Sequence, residues 1–411
     1  MTTRPRILFL SQCLPYPPHS GVANRTYNIL RQLHREFDID LIAFFRIGHQ
    51  SDSSARAAAR DALRNVATFV AEPTPIPSEH STWRKIWDHF RGVVTRQAYT
   101  YYHYRSETFA QRLHEVLRAR SPDLVHLDSL DFHGWASELP QVPIACTHHD
   151  IDSELLRLRA RHVDNRLLRG YLRFQAARIE RLERELCARF DLNVVTSQVD
   201  AQKLRARCPE AATLVVPNGT DTEYFQPNGT GSIAGRVAFV GPTYSSQPNR
   251  DAVEFLLQDV WPRIHAVDQS ATLRLIGRNS PQEATRYGGE PGVQALGCLP
   301  DMRPELARAR CCIVPLRIGG GTRLKILDAW AMGKAVVSTS IGCEGLDAVD
   351  GENILIRDTP DGMARAVLEV LRDAKLRSHL ERNGRRVAAD SYSWNSVGET
   401  IRSAYRKLLT H

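Results

Sequence analysis

The 411-residue chain has no run approaching 18 uninterrupted apolar residues, which argues against a transmembrane helix. Its N-terminus, MTTRPRILFL, lacks the long apolar stretch and small-residue cleavage site of a signal peptide, because Ile7 to Leu10 is only strand-sized. A soluble, cytoplasmic protein is therefore expected. Paired cysteines are missing too: the eight cysteines are scattered, with neither C-x-x-C nor His-rich spacing. They read as reduced core thiols, with no structural disulfide or zinc expected. No internal repeat or low-complexity tract is evident, which argues against a repeat architecture. No stacking-aromatic module or zinc-finger spacing accompanies the net charge of +8, so nucleic acid is not an expected partner.

What the chain does have is length for two domains, and 42% hydrophobic residues to fill two cores. Apolar, β-branched runs alternate with helical stretches, the pattern of parallel α/β sheets. Runs near Ile7–Leu10, Ile39–Phe45, Thr68–Val70, Leu124–Leu127, Ile144–Thr147 and Leu192–Thr196 predict a first sheet. Runs near Leu214–Val216, Val237–Val240, Thr272–Ile276, Val293–Ala295, Cys312–Pro315, Ala335–Ser338 and Asn353–Ile356 predict a second. Two doubly wound domains are the simplest assembly, with a boundary between Thr196 and the Pro217-Asn218-Gly219 turn. Ligands of open α/β sheets bind beyond the carboxyl ends of the strands.

The segment Ile313 to Ser338, IVPLRIGGGTRLKILDAWAMGKAVVS, reads as an anion site. A buried strand leads into Gly319, Gly320 and Gly321, which let the backbone turn tightly and approach a ligand without a Cβ in the way. Thr322 is a candidate N-cap for a helix from Arg323 to Met332, with Leu324, Leu327 and Ala331 on one face. Arg323 and Lys325 sit in its first turn, where cations are unfavourable for the helix itself, and an anionic ligand explains them. A solvated Lys325–Asp328 ion pair is the plainer alternative.

Elsewhere, Gly21 lies in a loop after the first strand, with His19 and Asn24 as polar neighbours. His148, His149 and Asp150 close another strand. Adjacent histidines point apart and do not easily share a metal. Asp150 and Asp152 can orient a site or simply begin the next helix. His126 and Asp128 sit similarly at the end of a further strand. Arg157, Arg159, Arg161, Arg166, Arg169, Arg173, Arg178, Arg181 and Arg184 interleave with leucines and aromatics between Leu155 and Arg189. That stretch can lie on an anionic bilayer, or be a surface helix with pairs such as Arg181 with Glu185.

The glycine segment resembles the donor-binding motif of the retaining GT-B glycosyltransferases of family 4. LFLSQCLPYPPHSGVANRTYNILRQL, VVPNGTDTEYFQP, FVGPTYSSQPNRDAVEFL and LRLIGR resemble other parts of that family, so the likeness spans nearly the whole chain. It implies an α/β GT-B fold, with two Rossmann-like doubly wound domains facing each other across a cleft. Residues 1–200 would form an acceptor-side domain, 201–390 a nucleotide-sugar donor domain, and 391–411 a terminal helix crossing back. The implied activity is that of a retaining glycosyltransferase, hexosyltransferase in type, in cell-envelope or exopolysaccharide biosynthesis. A GT-B sugar-nucleotide epimerase and a degenerate sugar-nucleotide-binding protein are the alternatives.

By the same resemblance His149, Arg323 and Lys325 carry the chemistry, while Gly21, Arg278, Gly320, Gly321, Thr322 and Asp328 bind the donor. Asp328 takes the place of a glutamate that holds the ribose hydroxyls. Gly320 stands where the family commonly has a glutamate against the donor sugar. The Gly277-Arg278 and Gly297–Met302 loops would face the nucleobase. No metal and no other cofactor is implied, since Arg and Lys neutralise the phosphates. The expected partners are a nucleoside-diphosphate sugar and a glycan or lipid-linked acceptor, with peripheral contact to anionic membrane at the inner face of the cytoplasmic membrane.

Overall fold

The computed structural model describes residues 4–18, 20–47, 50, 52–95, 97–161, 163–243, 246–319 and 321–410. They fall into two compact units, Met1–Pro217 with Gly398–His411, and Asn218–Val397. The first is built on strands β1 (Arg6–Ser11), β2 (Asp38–Phe45), β3 (Phe69–Val70), β4 (Thr74–Pro75), β5 (Leu124–Leu127), β6 (Ile144–His148), β7 (Leu192–Val195) and β8 (Thr213–Val215). They pair in parallel in the order β3-β2-β1-β5-β6-β7-β8, with β4 beside β2. Helices cover such sheets on both faces, so central strands read as unbroken apolar runs. Ile7, Leu8, Phe9 and Leu10 of β1 are accordingly buried.

The run at Leu214–Val216, expected to open the second sheet, instead forms β8 and closes the first by pairing with β7. Its apolar residues specify a strand, but not which sheet receives it. The pairing follows the tendency of consecutive strands to lie side by side.

The second unit carries β9 (Arg236–Val240), β10 (Thr272–Ile276), β11 (Val293–Gly297), β12 (Cys311–Val314), β13 (Ala335–Ser338) and β14 (Leu355–Ile356), parallel in the order β11-β10-β9-β12-β13-β14. Trp261, Trp330, Phe239 and Tyr287 fill its core. Trp330 lies so close to Gly384 that a Cβ there would stand 2.5 Å from the indole, so only glycine fits. Cys311 and Cys312 are buried in β12, and all eight cysteines are free.

The helix Trp394–Leu409 ends in the first unit from Gly398 onward. There Arg402 Nη1 donates to Gln32 Oε1 at 2.8 Å, and the Tyr405 hydroxyl meets His126 Nδ1. Among the described residues no helix is long and apolar enough to cross a membrane.

Candidate active site

In the first unit the strand order reverses between β1 and β5, and such a switch point opens a ligand-binding crevice beyond the strands' carboxyl ends. Ser11 ends β1, Asp128 follows β5, and the Ser11 hydroxyl donates to Asp128 Oδ2 at 3.1 Å. Thr26, on the helix Gly21–Leu33, donates to the same oxygen at 2.8 Å. His149, just beyond β6, brings Nε2 to 3.4 Å from Asp128 Oδ1. Burial works to raise the Asp128 carboxyl, yet His149 beside it and the Thr26 hydrogen bond outweigh burial and hold the group below its ordinary value. Asp128 is thus a fixed anion against one edge of the His149 ring.

His148 points the other way. Its Nε2 lies 3.0 Å from Asn193 Oδ1 in the interior, and burial pulls its pKa down to about 4. His126 is likewise interior, stacked on Phe9 at 4.1 Å with Nε2 3.2 Å from Thr147 Oγ1. Of the three histidines, His149 alone combines partial exposure with a carboxylate neighbour. Among the described residues, no three His, Cys, Asp or Glu side chains converge to hold a metal.

Gly21 begins its helix, capped by Ser20, whose Oγ accepts from Ala23 N at 3.2 Å. A Cβ at Gly21 would meet nothing within 4 Å, so packing does not require the glycine. Asn24 is bonded to Asn28, at 2.8 Å between side chains. Asp152 opens the helix Asp152–Arg161, the plainer of its two expected parts. Within the Arg-rich stretch, Arg157 pairs with Glu154 and Glu180, Arg184 with Glu180, and Arg181 with Glu185. Those three arginines are thus neutralised by carboxylates of the protein itself.

The second unit has its own switch point between β9 and β12. Three loops converge beside it, stitched through the backbone: Gly241 N donates to Ile276 O and Gly277 N to Gly297 O, both at 2.8 Å. Gly277 approaches so closely that a Cβ would stand 2.3 Å from Gly241 O. Lys325, on the helix Leu324–Ala331 after β12, reaches back to the loop after β9. Its Nζ donates at 2.7 Å to Asn249 Oδ1, in the first turn of helix Gln247–Phe255 that follows this loop, and lies 4.5 Å from the centroid of the Phe239 ring. Burial, with the nearby Arg323 guanidinium, pulls its pKa down to about 7.

Arg323 folds over Gly319, whose φ of +120° and missing Cβ make the room; a Cβ there would stand 3.0 Å from Nη2. Thr322 does not cap the helix, contrary to expectation. Arg323 occupies the cap position in extended conformation and does not cap the helix with its side chain, so the helix begins too late for the Thr322 hydroxyl to reach its N–H groups. Among the described residues the buried Oγ1 of Thr322 has no hydrogen-bond partner. Gly321 has φ +76°, while Gly320 and His19 lie outside the described residues.

Asp328, one turn after Lys325, accepts from Thr220 Oγ1 at 2.7 Å, and burial pushes its pKa up to about 7 against that bond. Lys325 and Asp328 therefore turn to different partners. Arg278 is exposed after β10, its carbonyl accepting from Thr243 N at 3.0 Å. In the Gly297–Met302 loop, Asp301 is gripped by Arg303 at 2.8 Å. Sequence reasoning did not single out Asn249, Gly241 or Thr220 as site residues. The first two lie in the FVGPTYSSQPN stretch and the third in VVPNGT, and those stretches were the available signal.

Two parallel α/β units, each with a glycine loop and ionisable side chains at a strand-order reversal, define the architecture of a GT-B transferase, and solved structures share it. HepE of Anabaena, solved with UDP, matches with a TM-score of 0.67 at 15% identity, over 98% of this chain and 100% of that one. A glycosyltransferase of Rickettsia africae gives 0.68 at 13% identity over the whole of both chains. Sucrose-phosphate synthase of Thermosynechococcus elongatus gives 0.68 at 17%, over 99% of this chain and 100% of that one. Residues 234–373 match the model for glycosyl transferases group 1, and residues 19–224, half of the chain, match that for glycosyltransferase family 4. The chain belongs to glycosyltransferase family 4 and is a glycosyltransferase. No curated protein is similar enough in sequence to match it.

Proposed function

We propose that the protein moves a sugar from a nucleoside-diphosphate donor to an acceptor hydroxyl with retention of anomeric configuration, in cell-envelope or exopolysaccharide biosynthesis. The observation that carries this reading is a cluster of groups at the second switch point, where Lys325 lies at Gly241, Arg323 folds over Gly319, and the buried Thr322 hydroxyl has no hydrogen-bond partner among the described residues. A diphosphate supplies the negative charge that the neutral Asn249 amide does not give Lys325, and an acceptor for the Thr322 hydroxyl. HepE, which shares the fold, has been solved with UDP and with UDP-glucose, and this supports a nucleotide sugar as donor.

In the proposed reaction the bond from the anomeric carbon to the phosphate oxygen breaks, and the acceptor oxygen bonds to the same face of that carbon. The acceptor proton passes to the departing phosphate oxygen. Lys325 and Arg323 stabilise the charge that develops there, in the part a metal ion plays elsewhere. Asp328 is assigned to the ribose hydroxyls, Arg278 to the ribose or a phosphate, and Gly21 to backbone contact with the distal phosphate. His149, oriented by Asp128, is assigned to the donor sugar near the reacting carbon. The reading extends to a cytoplasmic enzyme that meets a glycan or lipid-linked acceptor at the inner face of the cytoplasmic membrane.

The test is thermal stabilisation by a panel of nucleotides and nucleotide sugars, followed by donor turnover with and without a chelator. A ligand of the native state raises the melting temperature by mass action. Stabilisation by one nucleoside diphosphate, with transfer or slow hydrolysis of its sugar conjugate that survives chelation, supports the proposal. An epimerised donor, or binding without turnover under all conditions, overturns it.

A further inference from the structure

Helix Thr82–Val94, TWRKIWDHFRGVV, turns large apolar side chains outward: Trp83 is 81% exposed, Ile86 53%, Trp87 54%, Phe90 55% and Val94 64%. Their spacing of three, four, seven and eleven residues from the first places them on one face. Single exposed apolar residues are ordinary, but a continuous row with two tryptophans and a phenylalanine marks an interaction surface. The exposure does not come from loose attachment. On the opposite side Asp88 is buried and bonded to Arg84 at 3.1 Å, and His89 stacks on Tyr99 at 4.9 Å and meets the Tyr171 hydroxyl.

Through His89 and Tyr171 the helix's inner side packs on helix Arg166–Cys187, whose first turn carries Leu167 at 86% exposed. The charges around this surface are mostly positive, with Asp164 and Glu107 as acids nearby. Lys85 and Arg91 flank the row, Arg166, Arg169 and Arg173 flank Leu167, and residues 166–174 contain no acid. The one acid of helix Thr82–Val94 is the buried, paired Asp88. Arg84 and Arg91 also line a cavity of 780 Å³ together with His80, Arg105 and Glu107, and its charged lining is mainly basic. A second copy of the chain docked here about a twofold axis would set these cations against themselves. Phosphate headgroups over acyl chains match both the charge and the apolar row, and tryptophan favours that boundary.

We propose that this face docks on an anionic lipid surface, with helix Thr82–Val94 lying in the bilayer plane, its apolar row among the acyl chains and its flanking cations on lipid phosphates. The element that enters the membrane is thus helix Thr82–Val94, and Arg157, Arg181 and Arg184 of the Arg-rich stretch are held in ion pairs instead. The inference goes beyond the transfer reaction and does not depend on it.

Co-sedimentation with vesicles of phosphatidylcholine alone, and of phosphatidylcholine with phosphatidylglycerol, tests it at low and high salt. The variants are Trp83→Ser/Trp87→Ser/Phe90→Ser and Lys85→Gln/Arg166→Gln/Arg173→Gln, all at exposed positions, with circular dichroism and melting curves to check folding. The wild type should bind anionic vesicles, with blue-shifted tryptophan emission, and lose them as salt rises. The apolar variant should lose at least about tenfold in partitioning, since each buried aromatic is worth that much alone. The charge variant should bind more weakly and with a flatter salt dependence. Equal capture by neutral vesicles overturns the proposal, as does an apolar variant that sediments like the wild type. Light scattering that shows a wild-type dimer and a monomeric apolar variant overturns it in favour of self-association.

Discussion

Lys325 and Asn249 are joined at 2.7 Å, from the ammonium to the amide oxygen, across the point where the second sheet reverses its strand order. The bond ties the helix after β12 to helix Gln247–Phe255 after β9, and holds the ammonium over the Phe239 ring instead of in bulk water. A partly desolvated cation aimed at a glycine turn is poised for an anion, and its neutral amide partner leaves its charge uncompensated.

Arg323→Ala and Lys325→Ala should each lower donor turnover by roughly a hundredfold, about 3 kcal/mol of transition-state stabilisation, while melting curves stay close to wild type. Steady-state rates with the donor found by thermal screening are the measurement. Near-wild-type turnover in both variants would sink the phosphate assignment.

The lowered pKa of Lys325, about 7, gives the site a pH signature. Above that pH the empty site holds a neutral amine, and a bound diphosphate raises the pKa again, so binding takes up a proton. Affinity should then fall with rising pH from about 7 upward, by at most about tenfold per unit. Calorimetry at about pH 8 in buffers of different ionisation enthalpy should show uptake in the wild type and none in Lys325→Met.

The parts of this site that sequence reveals are those whose chemistry is local. Gly319 to Lys325 carries its own turn, helix start and charges within seven residues, so its nature is readable before any partner is known. Asn249 and Thr220 are ordinary polar residues until β9 pairs beside β12 and the chain brings them 76 and 108 residues away to Lys325 and Asp328. The same limit misplaced β8, since an apolar run specifies strand but not neighbour. Thr322 shows a finer one: cap chemistry was readable, but the exact residue at which a glycine turn releases the chain into a helix was not. The exposed row on helix Thr82–Val94 was hidden for another reason. Trp83, Ile86, Trp87 and Phe90 have the periodicity of a core-facing helix, and only the packing of Asp88 and His89 shows which side faces in.

Gly241→Ala should damage donor binding and stability together. At φ +157° a side chain strains the backbone, and a Cβ would lie 2.7 Å from Lys325 Nζ and 2.9 Å from Asn249 Cγ, so the ammonium is displaced as well. Donor affinity by calorimetry should drop about tenfold or more, alongside a clear loss in melting temperature. Unchanged affinity would mean that the Lys325 position is not needed for binding.

His149→Ala should abolish transfer while leaving the affinity for free nucleoside diphosphate nearly intact, because the groups assigned to the nucleotide belong chiefly to the second unit. Asp128→Asn keeps the shape and the Thr26 hydroxyl within reach but removes the anion beside His149. It should slow transfer by roughly ten- to a hundredfold and shift the pH profile of kcat, which a purely structural role would not do. An effect confined to His148→Ala would point instead to its neighbour as the wrong choice.

Asp328 should set stability against function. Its pKa of about 7 lies above the ordinary 3.8, so between these values the folded state binds more protons than the unfolded one. Stability then falls as pH rises through that window, and above about pH 7 the full cost of a buried carboxylate remains. Asp328→Asn keeps an acceptor for Thr220 and removes the charge. Its melting temperature should match the wild type near pH 4 and exceed it at about pH 8, with the gap opening between them. The same variant should bind the donor more weakly, since an amide is a poorer acceptor than a carboxylate for paired ribose hydroxyls. A melting difference independent of pH would show that Asp328 is already ionised at low pH in the folded protein. A variant that is more stable yet binds the donor as tightly as the wild type would remove Asp328 from the ribose site.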